Sequence, residues 1–516
     1  MRMSLKGTLR AISRWFGGGE APEHATEQPK EPEAPPPEME TSGRQERIAD
    51  KQDQPPSTRA SKSRGEATIS AAPIEGRTQF DERSAQGPRQ EIVIGLDFGT
   101  AFTKVVLGEL RAHYAVPFGS YTTPDNPYLL PSGITLVGDR GECVLGERIG
   151  SGTWCGDLKM PIITRTMNQD AKARAAAFLA LVLRYARDWF LSTHERTYGG
   201  KRIVWLVNVG LPTDNFDDKE LNELYQQLAG AAWTVSVMPG PVSLGRVRDY
   251  LETVEIRHDR LPPAIRDRLL APDMIACFPE FAVQLSGYVR SPRRQPDLHA
   301  LIDIGAGTVD VTTFNVHHNA DDDDLYPVMD QKVIAAGVSF LVGRRMERCG
   351  KPGGWQPSPF ENIPDDQTFA RELGTSQQAL RTADRKVLDQ VGDTLRAVLK
   401  HTKDHRYPLS RHWDTGVPTF LVGGGALVQA YRARIQRFES LRPPFLIRTM
   451  DLDTPEDLIA PNALKSSYDR LSVAYGLSFS ADDIGEIRLK SETQDERSVA
   501  GAARDLRDRF VGQELT

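Results

Sequence analysis

The hydrophobic pattern divides the chain into stretches of different character. Over residues 1–16, Leu5, Leu9, Ile12 and Phe16 recur at helical spacing while Arg2, Lys6, Arg10 and Arg14 carry all of the charge. This predicts a short basic amphipathic helix, suited to an anionic membrane surface, to a partner, or to folding back on its own domain. Residues 17–90 turn to Pro, Glu, Gln, Ser and Arg, with Phe80 the only aromatic residue. So little apolar surface does not offset the entropy of ordering, and a disordered linker is expected.

From residue 91 to about 480, apolar runs alternate with helical ones. The run 203-IVWLVNVGLP-212 predicts a buried strand. Helices are predicted over 170–194, closed by the core aromatics Trp189 and Phe190, and over 215–229 with Thr213 or Asp214 as cap. Strands and helices in this order argue an α/β class. A charged tail follows over 481–516, with one helical stretch near 492–510.

One strand pattern occurs twice. In 92-IVIGLDFGTAFTKVVLGEL-110 an apolar strand ends in Asp97, turns through Gly99 and Thr100, and returns as a second strand. In 300-ALIDIGAGTVDVTTFNV-316 the plan recurs with Asp303, Gly305, Gly307 and Thr308. Each predicts a β-hairpin with a glycine turn. Such a turn offers backbone N–H groups and a hydroxyl to phosphate oxygens, and an Asp at the strand end can hold hydrated Mg²⁺. One copy is ordinary hairpin chemistry; two copies are much stronger evidence. In 417-VPTFLVGGGALVQAYRARIQRF-438 a strand meets Gly423, Gly424 and Gly425 before a helix, which either lets backbone approach a ligand or is a glycine-rich connection without one.

The order strand–DFGT–Lys, PE-helix, DIGAGTVD, LVGGG-helix and 471-LSVAYGLSF-479 resembles the actin-like and Hsp70-like ATPase superfamily, over about residues 91–480. The resemblance implies a duplicated two-lobe fold with a central nucleotide cleft, lobe I over about 91–297 plus 466–480 and lobe II over about 298–465. It further implies that Asp97, Gly99, Thr100, Asp303, Gly305, Gly307, Thr308 and Gly423–Gly425 surround ATP and Mg²⁺. Lys104 matches the lysine of actin-type first motifs. Lys159, in 156-GDLKMPI-162, matches a phosphate lysine that Hsp70-like members carry later. Glu280, in a Pro-Glu order like that of plasmid-segregating actins, is the candidate for orienting the attacking water; a plain helix N-terminal carboxylate is the alternative. Arg396 and Lys400 occupy the helix that supplies purine contacts, although a solvated charged face looks the same.

What the resemblance implies is a Mg²⁺-dependent ATPase working as a switch between two lobes. About 36 residues follow the ATPase unit, fewer than an Hsp70 substrate domain needs, so a protein client is expected to bind elsewhere. A self-associating, filament-forming actin and a small-molecule kinase remain as alternatives. Composition narrows the field further. The formal net charge of -6, from 64 Lys+Arg against 70 Asp+Glu, gives no global attraction for nucleic acid, and none is expected as a partner. No apolar run approaches the roughly 20 residues that span a bilayer, so a cytoplasmic protein is expected, peripheral at the inner membrane face through residues 1–16. Cys143, Cys155, Cys277 and Cys349 form no C-x-x-C pair and read as buried free thiols. The run Asp321–Asp324 after His317 and His318 lacks the spacing of an EF-hand loop and reads as a solvated turn.

The basic stripe generates one test. Near anionic lipid each Lys or Arg contributes about 1 kcal/mol. The full chain is therefore expected to co-sediment with anionic liposomes at low salt and less at high salt, and residues 91–516 are expected to stay in solution. Equal sedimentation of both would refute the tether.

Overall fold

In the computed structural model residues 87–488 are described, except 124, 140, 147–151, 213–217, 252–260, 319–323, 351–362, 462 and 464–467. The stretch 1–16, the linker up to residue 86, Thr213, Asp214, Asp321–Asp323 and the helix expected at 492–510 lie outside the described residues.

Two mixed sheets carry the α/β architecture. The first contains β1 (Arg89–Phe98), β2 (Phe102–Glu109), β3 (Ala112–Ala115), β4 (Arg202–Leu211) and β5 (Ile275–Pro279), in the order β3-β2-β1-β4-β5. β1 pairs antiparallel with β2, and β2 with β3, whereas β1–β4 and β4–β5 are parallel. The second contains β6 (Asp297–Ile304), β7 (Val309–His318), β8 (Asp324–Ile334), β9 (Val417–Val422) and β10 (Ile447–Met450), in the order β8-β7-β6-β9-β10. Its pairings follow the same sequence of senses: antiparallel to β7 and β8, parallel to β9 and β10. β11 (Leu458–Ile459) already pairs with β3, so the chain returns to the first sheet before the expected boundary at residue 465. β12 (Glu486–Arg488) pairs with β8, which carries the folded unit past the boundary expected at 480; Ile484, fully buried, seats this extension.

Helices cover the sheets. α1 (Met160–Ile163) is a single turn, and α2 (Gln169–Thr193) is capped by Asn168, whose side chain accepts from the Ala171 amide at 2.8 Å. α3 (Lys219–Val237) starts later than the sequence pattern predicts, because Asp218 is the cap: its Oδ1 accepts from the Leu221 amide at 3.2 Å. It also runs past Ala229. Arg184 of α2 donates to the carbonyls of Val235, Ser236, Met238 and Gly240, and Arg187 donates to that of Ser236. Two buried guanidiniums thus meet the negative end of α3. α4 (Glu280–Gln284), α5 (Val338–Arg348), α6 (Gln377–His401), α7 (Gln429–Gln436) and α8 (Tyr468–Leu477) follow. Phe190 is fully buried in the first core, with Trp189 partly buried against it. Of the cysteines, all free, only Cys143 is fully buried; the others keep some exposure. Among the described residues no helix is long and apolar enough to cross a membrane.

Each sheet has its own core, and a third core joins them. It takes Val106 and Ala115 from the first sheet, Leu301, Phe314 and Phe420 from the second, and Phe281, Leu285, Leu471 and Tyr475 from the helices between them. α4 and α8 cross so closely that a Cβ on Gly476 would lie 1.8 Å from the Val283 carbonyl oxygen. This core also buries His299, whose ring is stacked on Phe314. Its Nδ1 donates to the Asp297 carbonyl at 2.8 Å and its Nε2 accepts from the Tyr288 hydroxyl at 3.0 Å, so the neutral ring satisfies both nitrogens. Burial depresses the imidazole from 6.5 to about 4.

A depressed histidine supports the fold above pH 6.5, and that support fades as pH falls toward 4, because the unfolded chain binds the proton more readily. His299→Phe leaves the Tyr288 hydroxyl without its acceptor and is expected to cost about 1–3 kcal/mol at pH 7.5. Urea denaturation should show the gap between parent and variant narrowing by pH 4.5. A gap independent of pH would contradict this.

Candidate functional site

The two Asp-bearing strands end at one charged cluster. Asp97 closes β1 and is nearly buried; its Oδ2 lies 2.6 Å from Lys104 Nζ on β2, directly across the hairpin. Lys159, 4% exposed, stands just before α1 and places its Nζ 2.7 Å from Glu280 Oε1. Glu280 begins α4, where Pro279 ends β5 and opens the helix. One turn on, Gln284 lies on the same helix face and donates from Nε2 to Asp303 Oδ2 at 3.2 Å. Asp303 faces Asp310 across β6 and β7, one residue before the second glycine turn. One face of α4 therefore holds a group from each sheet's side of the molecule.

Electrostatics records the crowding. Burial raises Asp97 above its ordinary value, against the pull of Lys104, with Glu280 adding to the rise. Asp303 is pushed from 3.8 to about 6, first by burial and then by Glu280, while the Gln284 hydrogen bond holds it down. Lys159 loses solvation, yet Glu280, Tyr225 and Asp97 hold its ammonium above the usual lysine value. Three carboxylates face two ammoniums, which leaves one negative charge in excess.

The glycine turns are placed beside these groups. In the second turn the carbonyls of Gly305, Ala306 and Gly307 accept from the amides of Val338, Ser339 and Gly337 at the start of α5. A trans peptide points its N–H opposite to its C=O, so the amides of Ala306, Gly307 and Thr308 point away from α5. Met160, the neighbour of Lys159, has its sulfur 3.7 Å from where a Gly307 Cβ would be. In the first turn Gly99 and Thr100 link β1 to β2, and the Gly99 carbonyl accepts from Ser132 Oγ at 2.7 Å. The sequence suggests that the triple glycine leads straight into a helix; in the structure Gly424–Leu427 form a 3-10 turn before α7. Gly423 has φ +81, and a Cβ there would lie 2.2 Å from Asp303 Oδ1, so only glycine fits. Gly424 faces the Arg470 side chain, and Gly425 packs on Ile304.

Arg396 and Lys400 find their partners away from the cluster. Arg396 pairs with Asp393 at 3.2 Å and lies over Phe438, and Lys400 pairs with Asp404. A cavity of about 530 Å³, lined by Lys332, Ile334, Lys386, Asp389, Asp393 and Thr394 among others, lies between β8 and α6 and includes no cluster residue. Ser478, His113 and Asp457 form a Ser–His–Asp grouping outside the cluster, with Ser478 Oγ 2.6 Å from His113 Nδ1. It is structural: Ser478 is 1% exposed and its hydroxyl donates to the Tyr475 carbonyl at 2.5 Å.

Sequence reasoning missed two residues of the cluster. Gln284 was findable by its spacing, four residues after Glu280 on one helix. Tyr225 of α3 was not; its buried hydroxyl has no hydrogen-bond partner among the described residues, and it interacts electrostatically with Lys159 and Glu280. Among the described residues no group of three or more His, Cys, Asp or Glu side chains forms a ready metal site. No protein-family model matches the chain, and the search of curated proteins found no match either.

An acid whose value is raised on folding favours the folded state at low pH and opposes it as pH rises from 3.8 through about 6. Asp303→Asn removes that opposition. Thermal unfolding at pH 8 is expected to give the variant a higher Tm than the parent, with the advantage gone near pH 4. A lower Tm at pH 8 would show that Asp303 sits comfortably as an anion.

Proposed function

We propose that this chain is a Mg²⁺-dependent ATPase of the actin-like and Hsp70-like type, with two duplicated lobes that change their relation as nucleotide is bound and hydrolysed. The observation that carries the reading is the single face of α4 that grips Lys159 and Asp303 at once. The matching strand order and senses of the two sheets, each with its Asp-Gly hairpin at the centre, support duplication.

The residues suit a nucleotide with a divalent cation. The excess negative charge beside Asp97 and Asp303 favours a cation, and both carboxylates are held too high to be at ease without one. With no direct three-ligand site, Asp97 and Asp303 would hold Mg²⁺ through its waters. When bound, Mg²⁺ neutralises charge on the phosphoryl oxygens.

The chain's own residues divide the remaining work. The amides of Ala306, Gly307 and Thr308, with the hydroxyls of Thr100 and Thr308, grip phosphate oxygens. Lys159, kept cationic by Glu280, faces the transferred group, and Lys104 holds Asp97 in place. Glu280 keeps a second carboxylate oxygen for orienting water. Gly423–Gly425 admit the nucleoside close to the backbone, with Arg396 and Lys400 in outer roles at most. Because α4 and α8 build the core between the sheets, a displacement of Glu280 or Gln284 is passed directly into that core.

Two substitutions test the reading. Asp303→Ala is expected to reduce phosphate release from Mg²⁺·ATP by about 100-fold or more in a folded protein, on the scale of losing a preorganised electrostatic group. Glu280→Gln is expected to slow turnover by about 10²-fold while ATP affinity holds or improves, since Lys159 is then released toward phosphate. Parallel losses of affinity and rate in Glu280→Gln would make it a structural cap.

A further inference from the structure

Gln284 has a feature that packing alone does not explain. Its side chain is 1% exposed, its Nε2 donates to Asp303 Oδ2, and its Oε1 is buried with no hydrogen-bond partner among the described residues. An ionised carboxylate can only accept hydrogen bonds, so the amide nitrogen must face Asp303 and the oxygen is the end left over. A buried amide oxygen without a donor costs on the order of 1–3 kcal/mol. A leucine or methionine would fill a helix position in the core between the sheets at no such cost. The glutamine therefore serves the cluster.

We propose that Gln284 is the positioning residue of the second strand-end carboxylate: Nε2 fixes Asp303 as an oriented anion, and Oε1 accepts from a water of the hydrated cation that Asp303 serves. The second half of this assignment rests on the nucleotide-binding reading above; the first half does not. Three features converge on it. Gln284 shares its helix face with Glu280, so the lysine-bearing and the aspartate-bearing sides are set by one rigid turn. On its other side Asp303 packs directly on Gly423, where a Cβ would lie 2.2 Å from Oδ1, so the carboxylate fills space that only a glycine leaves open. Tyr225, a buried hydroxyl likewise without a partner among the described residues, lies near Lys159 and Glu280, so the cluster has unpaired polar groups at more than one point there.

The test is a double-mutant cycle on the full-length chain, read first without nucleotide. Tm is measured at pH 8 for the parent, Asp303→Asn, Gln284→Leu and the double variant, with Gln284→Met as a second replacement should the leucine variant not fold. If Gln284 supports the ionised Asp303, removing it makes the anion harder to bear. Asp303→Asn should then change Tm at pH 8 more favourably in the Gln284→Leu background than in the parent. Equal increments at pH 8 would overturn the positioning role. The second readout is phosphate release from ATP over a MgCl₂ titration, where Gln284→Leu should raise the half-saturating Mg²⁺ concentration about tenfold and Gln284→Asn should recover part of it. An unchanged Mg²⁺ requirement would overturn the water-holding role. Coupling at pH 8 in a chain that releases no phosphate would sink the ATPase reading and leave the positioning of Asp303 standing.

Discussion

Everything at the centre of this molecule depends on keeping three carboxylates and two lysines together in a poorly solvated space. Taking ionised groups out of water costs several kcal/mol each unless partners compensate. Here the compensation is specific: Lys104 answers Asp97, Lys159 answers Glu280, and Asp303 receives a neutral amide in place of a cation. Asp303 is thus the least satisfied member, and its raised value follows from that arrangement. The excess of one carboxylate over the two ammoniums among these five groups is the feature on which the proposed cation site rests.

The same constraint explains how the site is joined to the fold. Glu280 and Gln284 project from one face of α4, and Phe281, Ala282, Val283 and Leu285 bury the rest of the turn among both sheets and α8. Gly476 allows α8 to meet α4 backbone to backbone, so the helix has little freedom to slide without disturbing the core. A change of charge at the strand ends must be accommodated by moving α4, by moving the sheets, or by binding a counter-ion. The proposed switch would act through this coupling, since close-packed interiors shift between discrete arrangements and do not deform continuously.

Much of this was legible in the sequence, for identifiable reasons. Asp97 and Asp303 announce themselves because an apolar strand that ends in Asp and a glycine turn is a local pattern, and the two hairpins stand where that pattern puts them. Lys159 and Glu280 came from resemblance, and the structure brings them within 2.7 Å of each other, a pairing across 121 residues that no local rule contains. Gln284 was overlooked because an amide in an apolar helix draws no attention until its spacing from Glu280, one turn earlier, is considered. The start of α3 was misplaced because Thr213, Asp214 and Asp218 are all acceptable caps, and only the tertiary setting selects Asp218. Arg396 and Lys400 illustrate why a charged helix face is hard to read from sequence: each pairs with a neighbour within about one turn.

The central claim is that the cluster is built to receive Mg²⁺ with a nucleoside triphosphate. Isothermal titration of the full-length chain with ATP, in the presence of MgCl₂ and again with EDTA in its place, addresses it most directly. The account predicts saturable binding at one site per chain that weakens at least tenfold when Mg²⁺ is withdrawn. Absence of binding at millimolar Mg²⁺·ATP, or binding indifferent to Mg²⁺, would contradict it.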